Sequence, residues 1–282
     1  MYVLLLVVLA QAVYAQQSSD QAGNDRRETV ALVLGGGAAW GAAHIGVLEV
    51  LIEHGIEWDM LVGSSAGAIA GSFLADGYDV ESLSDEFAEI EFLDVMEPTL
   101  DGLGFFETEP IVDYLDERLE HDRIEDLPYP VIITATNVDT GEPVYFVEGP
   151  LPLLLAASSA VPVIFNPVEY EELLLTDGGV VNNLPVSAAV DFGADIIIAV
   201  NVASSFSFAG RPETRINFVN RIYNITRQAQ YDTENVDVYI APDLTGISGI
   251  DFGAYEEMIS IGRDAAEEAI PDLLQLLYPG EK

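Results

Sequence analysis

Two short apolar runs, each passing through a knot of small residues into a helical pattern, limit the architecture of this chain more than any other feature. Val30–Leu34 ends on Gly35-Gly36-Gly37-Ala38-Ala39-Trp40-Gly41, and residues 42–54 then carry a helical pattern that stops at Gly55. Residues 60–62 repeat the order: an apolar run, the turn Gly63-Ser64-Ser65-Ala66-Gly67, and a small-residue helix to position 75. Alternation of short β-branched runs with longer helical patterns calls for a mostly parallel central sheet with helices on both faces, a three-layer α/β/α arrangement. Further strands are expected at residues 131–136, 173–176, 196–201 and 236–240. Further helices are expected at 109–120, 185–191, 216–230 and 254–277, the last interrupted at Pro271. One α/β domain accounts for residues 29–282.

The amino terminus is expected to be separate from that domain. Residues 3–10 are continuously apolar and Val13-Tyr14-Ala15 follows, the pattern of a secretory leader cleaved after residue 15. The apolar stretch is shorter than the ~20 residues a helix needs to span a bilayer. Residues 16–28 then read as a polar linker. The chain is therefore expected to be exported, periplasmic or secreted, with an uncleaved membrane anchor as the alternative. With no cysteine in the chain, lipoprotein attachment, disulfides, thiolate metal sites and a thiol nucleophile are all excluded.

Charge narrows the function. Over 282 residues, 48 acidic side chains stand against 10 basic ones, a formal charge of −38. A nucleic-acid binder needs a basic stripe to displace counterions, so that class is discarded. The acidic surface suits a salty medium, where screening shortens the range of self-repulsion. Asn137, Asp139, Gly141 and Glu142 come nearest to a cation loop, but no distant bidentate Glu completes the pattern, and turn chemistry explains them better.

Three chemistries compete for the glycine-rich segment. A dinucleotide fold wants G-x-G-x-x-G, but Trp40 occupies the sixth position from Gly35; a phosphate loop wants Gly-Lys-Ser/Thr, and the only lysine is Lys282. An oxyanion hole needs only backbone donors at a helix amino end, so that reading survives. Gly63-Ser64-Ser65-Ala66-Gly67 is a G-x-S-x-G turn that exposes the Ser65 hydroxyl between strand and helix. A serine needs a base. His44, His54 and His121 are the only histidines, and none follows Asp177, so the usual Ser, acid, His order is not available. His44 reads as a core residue, His54 as a contact to a helix-end carbonyl, and His121 as a helix-closing residue. By elimination the base is a carboxylate, and Asp177, closing the apolar run 173–176 before Gly178-Gly179, has the right context at a strand's carboxyl end. A turn aspartate is the plainer reading of the same residue.

In four ordered blocks the chain resembles the patatin-like phospholipase family: the glycine loop running into Ala42-Ala43-His44-Ile45-Gly46, the Ser65 elbow, Ala157-Ser158-Ser159-Ala160-Val161-Pro162, and Asp177-Gly178-Gly179 through Pro185. The resemblance spans residues 29–240. It implies a phospholipase A-type lipid acyl hydrolase acting on a lipid or membrane-surface substrate through a Ser65/Asp177 dyad, with no cofactor or metal. The family loop usually reads Gly-Gly-Gly-x-Arg/Lys-Gly, whereas Gly36-Gly37-Ala38-Ala39-Trp40-Gly41 has Ala38 for the third glycine and Trp40 for the cation. The expected oxyanion donors are the N–H groups of Gly36, Gly37 and, provided its φ is negative, Ala38. Trp40 also favours the alternative function, a lipid-binding or scaffold protein that keeps the fold without turnover. Phe73, Phe92, Leu103, Phe105 and Phe106 are candidates for an acyl-chain wall or lid, or simply for core.

Overall fold

A computed structural model of the chain describes residues 27–89, 96–205, 211–228, 230–231 and 233–279. The expected leader, nearly all of the linker, and Phe92 lie outside these residues. The elements run β1 (Val30–Leu34), α1 (Ala42–Glu53), β2 (Met60–Ser64), α2 (Ala66–Asp76), α3 (Val80–Glu89), α4 (Glu109–Asp116), β3 (Val131–Asn137), β4 (Pro143–Phe146), α5 (Leu151–Ser159), β5 (Val168–Tyr170), β6 (Leu173–Asp177), α6 (Val186–Asp191), β7 (Ile196–Val200), α7 (Arg215–Gln228), β8 (Val238–Ile240) and α8 (Tyr255–Leu277). Among the described residues no helix is long and apolar enough to cross a membrane.

The strands form one sheet in the order β5-β6-β3-β2-β1-β7-β8, with β4 also paired to β3. Strands β3, β2, β1, β7 and β8 are mutually parallel. β4 and β6 run antiparallel to β3, and β5 antiparallel to β6. All five residues of β1 are buried, because alternate side chains enter two separate cores. Val30, Leu32 and Leu34 pack with apolar residues of α1, α2, α5 and α8, while Ala31 and Val33 pack with Leu184, Val186, Ala188 and Ala189 around α6. The expected mostly parallel sheet with helices on both faces is thus the architecture observed.

Some elements depart from expectation for identifiable reasons. Helix α5, Leu-Pro-Leu-Leu-Leu-Ala-Ala-Ser-Ser, is buried on nearly every side and so lacks the polar face that gives a helix its sequence signature. Helix α8 continues through Pro271 instead of breaking there; Ile270 and Leu273, both buried, anchor the turn around the proline. The Asn137 segment is a turn, as expected: the Asn137 side chain accepts the Asp139 N–H at 2.9 Å, its carbonyl accepts that of Gly141 at 2.8 Å, and the chain reverses from β3 into β4.

Candidate active site

β1 and β2 lie side by side, so the loops leaving their carboxyl ends, the glycine segment and the Ser65 turn, are neighbours. Ser65 is the residue between β2 and α2, with φ 53° and ψ −125°. That conformation costs a non-glycine residue about 1–3 kcal/mol and is retained only where the surroundings enforce it. The flanking glycines do so. A Cβ at Gly63 would lie 2.4 Å from the Cα of Ala68, and one at Gly67 would lie 2.2 Å from the carbonyl oxygen of Leu34. Neither position has room for a side chain, and the helix amino end is thereby pressed against β1. Ser158 on α5 completes the clamp: its hydroxyl accepts the Ser65 N–H at 2.8 Å and donates to the Thr134 carbonyl at 2.7 Å.

The Ser65 hydroxyl donates to Oδ2 of Asp177 across 3.0 Å. Asp177 reaches it by a route the sequence reading did not anticipate. β6 is antiparallel to β3 and pairs only with the end of β3 that extends past β2, so Asp177 lies opposite Ala135, one residue beyond the Ser64–Thr134 pairing. A strand running the opposite way therefore delivers its last residue to the edge where β1 and β2 end. Asp177 is 1% exposed, and burial pushes its pKa above the usual carboxylate range. Opposing that shift are the Tyr223 hydroxyl, the charge of Arg227, the Gly179 N–H and Ser65 itself. The second oxygen, Oδ1, accepts from Gly179 N–H and from Tyr223 Oη, each at 2.7 Å.

The glycine loop calls for two corrections. The N–H of Gly36 is not free to serve an oxyanion, because it donates to the Asn183 carbonyl at 3.0 Å. Ala38 has φ +50°, not the negative value on which its role as a donor was conditional, since the loop bends here where the family pattern has glycine; this costs about 1–2 kcal/mol. The N–H groups of Gly37 and Ala38 meet no protein acceptor among the described residues, and both residues line the same cavity as Ser65. Trp40 is packed into the wall of that cavity: it is 6% exposed, its indole N–H donates to the Ile247 carbonyl at 3.0 Å, and its ring packs over Gly249. The cation at this loop comes instead from Arg227 on α7, a buried guanidinium that donates to the Gly36 carbonyl, which also accepts from Asn183 Nδ2 at 3.0 Å.

All three histidines bond elsewhere. His44 donates Nε2–H to the Gly35 carbonyl at 2.8 Å, and burial lowers its pKa to about 4. His54 pairs with the Glu267 side chain at 3.4 Å, not with a carbonyl as expected, and His121 sits 2.7 Å from Asp76.

Ser65 and Asp177 open onto a cavity of about 850 Å³. Phe73, Phe87, Met96, Phe106, Ile111 and Phe165 contribute to an apolar wall. Of the candidates for an acyl-chain wall, Phe73 and Phe106 therefore belong to it, while Leu103 and Phe105 are exposed outside it.

Comparison with known proteins agrees with this architecture. An uncharacterised NTE family protein of Mycobacterium tuberculosis is 34% identical over 207 residues, covering 70% of this chain and 56% of its own length. The lysophospholipase nte1 of Aspergillus fumigatus is 27% identical over 281 residues, covering 83% of this chain and 18% of its own. The chain thus spans little more than half the length of the mycobacterial relatives and less of the fungal ones. Among solved structures, VipD from Legionella pneumophila superposes with a TM-score of 0.57 at 14% identity, over 87% of this chain and 67% of that one, which is a likeness of fold. The family description "Patatin-like phospholipase" matches residues 32–190, from within β1 through α6, taking in the glycine loop, the Ser65 elbow and Asp177. On that match, over more than half its length, the chain belongs to the patatin-like phospholipase family.

Proposed function

We propose that this protein is a lipid acyl hydrolase that works through an acyl-enzyme on Ser65 with Asp177 as its base. One observation carries the reading: a serine held at a strained elbow donates to a buried carboxylate at the wall of an apolar cavity. Ser65 Oγ attacks the ester carbonyl carbon while its proton passes to Asp177 Oδ2. The N–H groups of Gly37 and Ala38 receive the oxyanion, a role worth about 10²–10³ in rate per donor. The C–O bond to the alcohol then breaks, and Asp177 returns the proton to the departing oxygen. Water repeats the sequence on the acyl-enzyme and releases the fatty acid.

The cavity supports a lipid substrate. Its volume is in the upper part of the ~300–1,000 Å³ range of ligand sites, and its aromatic and aliphatic wall suits an acyl chain. The lysophospholipase name carried by the fungal relatives points the same way. No step needs a metal or an organic cofactor. Export on the apolar segment at residues 3–10 belongs to the same proposal, since it would bring the enzyme to an extracytoplasmic lipid surface.

The test is release of fatty acid from a lysophospholipid and of p-nitrophenol from a short-chain ester. Ser65→Ala and Asp177→Asn lose turnover, while Ser64→Ala and His121→Ala, which touch neither reacting oxygen, keep most of it. A well-folded Ser65→Ala protein with near-normal turnover would overturn the dyad.

A further inference from the structure

We infer that Tyr223 is a positioning residue for the base: its hydroxyl donates to Asp177 Oδ1 and fixes the carboxylate so that Oδ2 alone is presented to Ser65. The inference rests on the Ser65/Asp177 reading and adds to it a residue outside the four sequence blocks, 46 positions from its partner.

The geometry assigns the two oxygens different work. Oδ2 has the nucleophile at 3.0 Å. Oδ1 takes two donors, Gly179 N–H and Tyr223 O–H, both at 2.7 Å. A carboxylate fixed at one oxygen by two donors cannot rotate to exchange its faces without breaking both bonds.

The space for this contact is built into the turn after β6. A Cβ at Gly179 would lie 2.6 Å from the Tyr223 hydroxyl oxygen, so the missing side chain leaves the volume that the phenol occupies. One turn along α7, the Arg227 guanidinium stands 5.2 Å from the Tyr223 ring centre.

The electrostatics follow from the same contacts. A buried carboxylate drifts toward its protonated form, in which it cannot accept a proton from Ser65. The groups acting on Asp177 are Tyr223 and Arg227 from α7, Ser65 from the elbow and the Gly179 N–H from the turn, and the phenol is the largest influence favouring the ionised form. Tyr223 is itself raised well above the ordinary tyrosine value, by burial and then by the Asp177 charge. It therefore stays a neutral donor across the range in which the enzyme would work.

The experiment is the pH dependence of kcat/KM for wild type and Tyr223→Phe on a soluble short-chain p-nitrophenyl ester. A hydrogen bond to a charged group, once removed, moves the carboxyl titration by about one to two pH units, and the sign is fixed. Losing the donor raises the Asp177 pKa, so the acid limb moves to higher pH, with a loss of about tenfold or more below the limb, little above it, and an unchanged KM. A site-specific 3-fluorotyrosine, a stronger donor of nearly the same shape, moves the limb the other way. A purely structural tyrosine would lower kcat at every pH and leave the limb where it is, and that result overturns the inference.

Carboxyl carbon NMR of Asp177 in the two proteins gives the same answer without turnover. An unmoved carboxyl titration refutes the role of Tyr223 whatever the activity. A shifted titration in a protein whose wild type hydrolyses no ester keeps Tyr223 and sinks the dyad.

Discussion

Replacing Trp40 with arginine would restore the residue type that the family loop usually carries, and the sequence alone leaves two outcomes open: higher turnover if the loop merely lacks a cation, or no gain and harmed folding if Trp40 is packed against the core or the lipid surface. The structure argues for the second. The indole lies among Gly37, Gly249 and Ile247, 6% exposed, and its N–H is bonded to the Ile247 carbonyl. Losing a buried tryptophan side chain costs about 3–5 kcal/mol. An arginine cannot shed its charge, so it must carry that charge into the apolar packing of the cavity wall or pull the loop open to reach water. For a domain of this size each kcal/mol lowers Tm by about 2–4 °C, which places Trp40→Arg about 6–20 °C below wild type. Trp40→Phe keeps most of the packing and loses the donor, a cost of about 1 kcal/mol and about 2–4 °C. Turnover in the arginine variant falls as well, because Gly37 and Ala38 belong to the displaced loop. The assay is thermal unfolding by circular dichroism alongside ester hydrolysis below both midpoints. A Trp40→Arg protein that melts within about 2 °C of wild type and turns over faster would refute this account of the loop.

Asp177→Asn separates function from stability. The folded carboxyl is raised above its unfolded value by burial, so its ionisation works against folding as pH rises past the ordinary carboxylate range; the variant should melt at least as high as wild type at pH 7 and lose about 10²–10⁴-fold in turnover. His44 has the opposite sign: neutral and buried, with its pKa lowered from 6.5 to about 4, it contributes stability that is complete above pH 6.5 and lost as pH falls toward 4. That loss amounts to about 3 kcal/mol and is read from urea unfolding across the interval, where a His44→Asn protein should show a flatter profile. The charge of −38 predicts a Tm that climbs with sodium chloride, since the Debye length shrinks from about 30 Å at 0.01 M to about 3 Å at 1 M. Vesicle hydrolysis should then favour zwitterionic over anionic lipid at low salt, and a flat melting curve with best hydrolysis of anionic vesicles at low salt would contradict it.

What the sequence discloses about this site is what the chain writes locally. A glycine-flanked serine between an apolar run and a helix, or an aspartate before two glycines, carries its geometry within about five residues, so Ser65 and Asp177 stand out without a structure. The engagement of Gly36 does not, because its N–H is taken by the carbonyl of Asn183, far along the chain. Nor does the direction of β6: Leu173–Asp177 reads the same whether it runs parallel or antiparallel to its neighbour. Tyr223 and Arg227 are the furthest from legibility. Four residues apart on a helix, they look like an ordinary polar face, and only packing of α7 against the site turns that face toward Asp177 and Gly36.

The departure of the loop from the family pattern is resolved by Arg227 of the same helix together with Asn183. Asn183 and Arg227 both donate to the carbonyl of Gly36, and that carbonyl belongs to the same peptide group as the N–H of Gly37. No peptide bond among the described residues is cis, so this C=O and N–H point in opposite directions, and donors that capture the oxygen aim the hydrogen away from them. Polarising a carbonyl with a cation also strengthens its own N–H as a donor, since hydrogen bonds in a chain reinforce one another. A charge placed at Trp40 would have to displace an indole that is 6% exposed and bonded to the Ile247 carbonyl. Supplied from Arg227 it sits instead near the buried Asp177, and each charge offsets part of the other's desolvation. The replacement of the loop cation by tryptophan therefore leaves the candidate oxyanion donors supported, because the cation acts through the Gly36–Gly37 peptide and does not have to come from the loop that contains it.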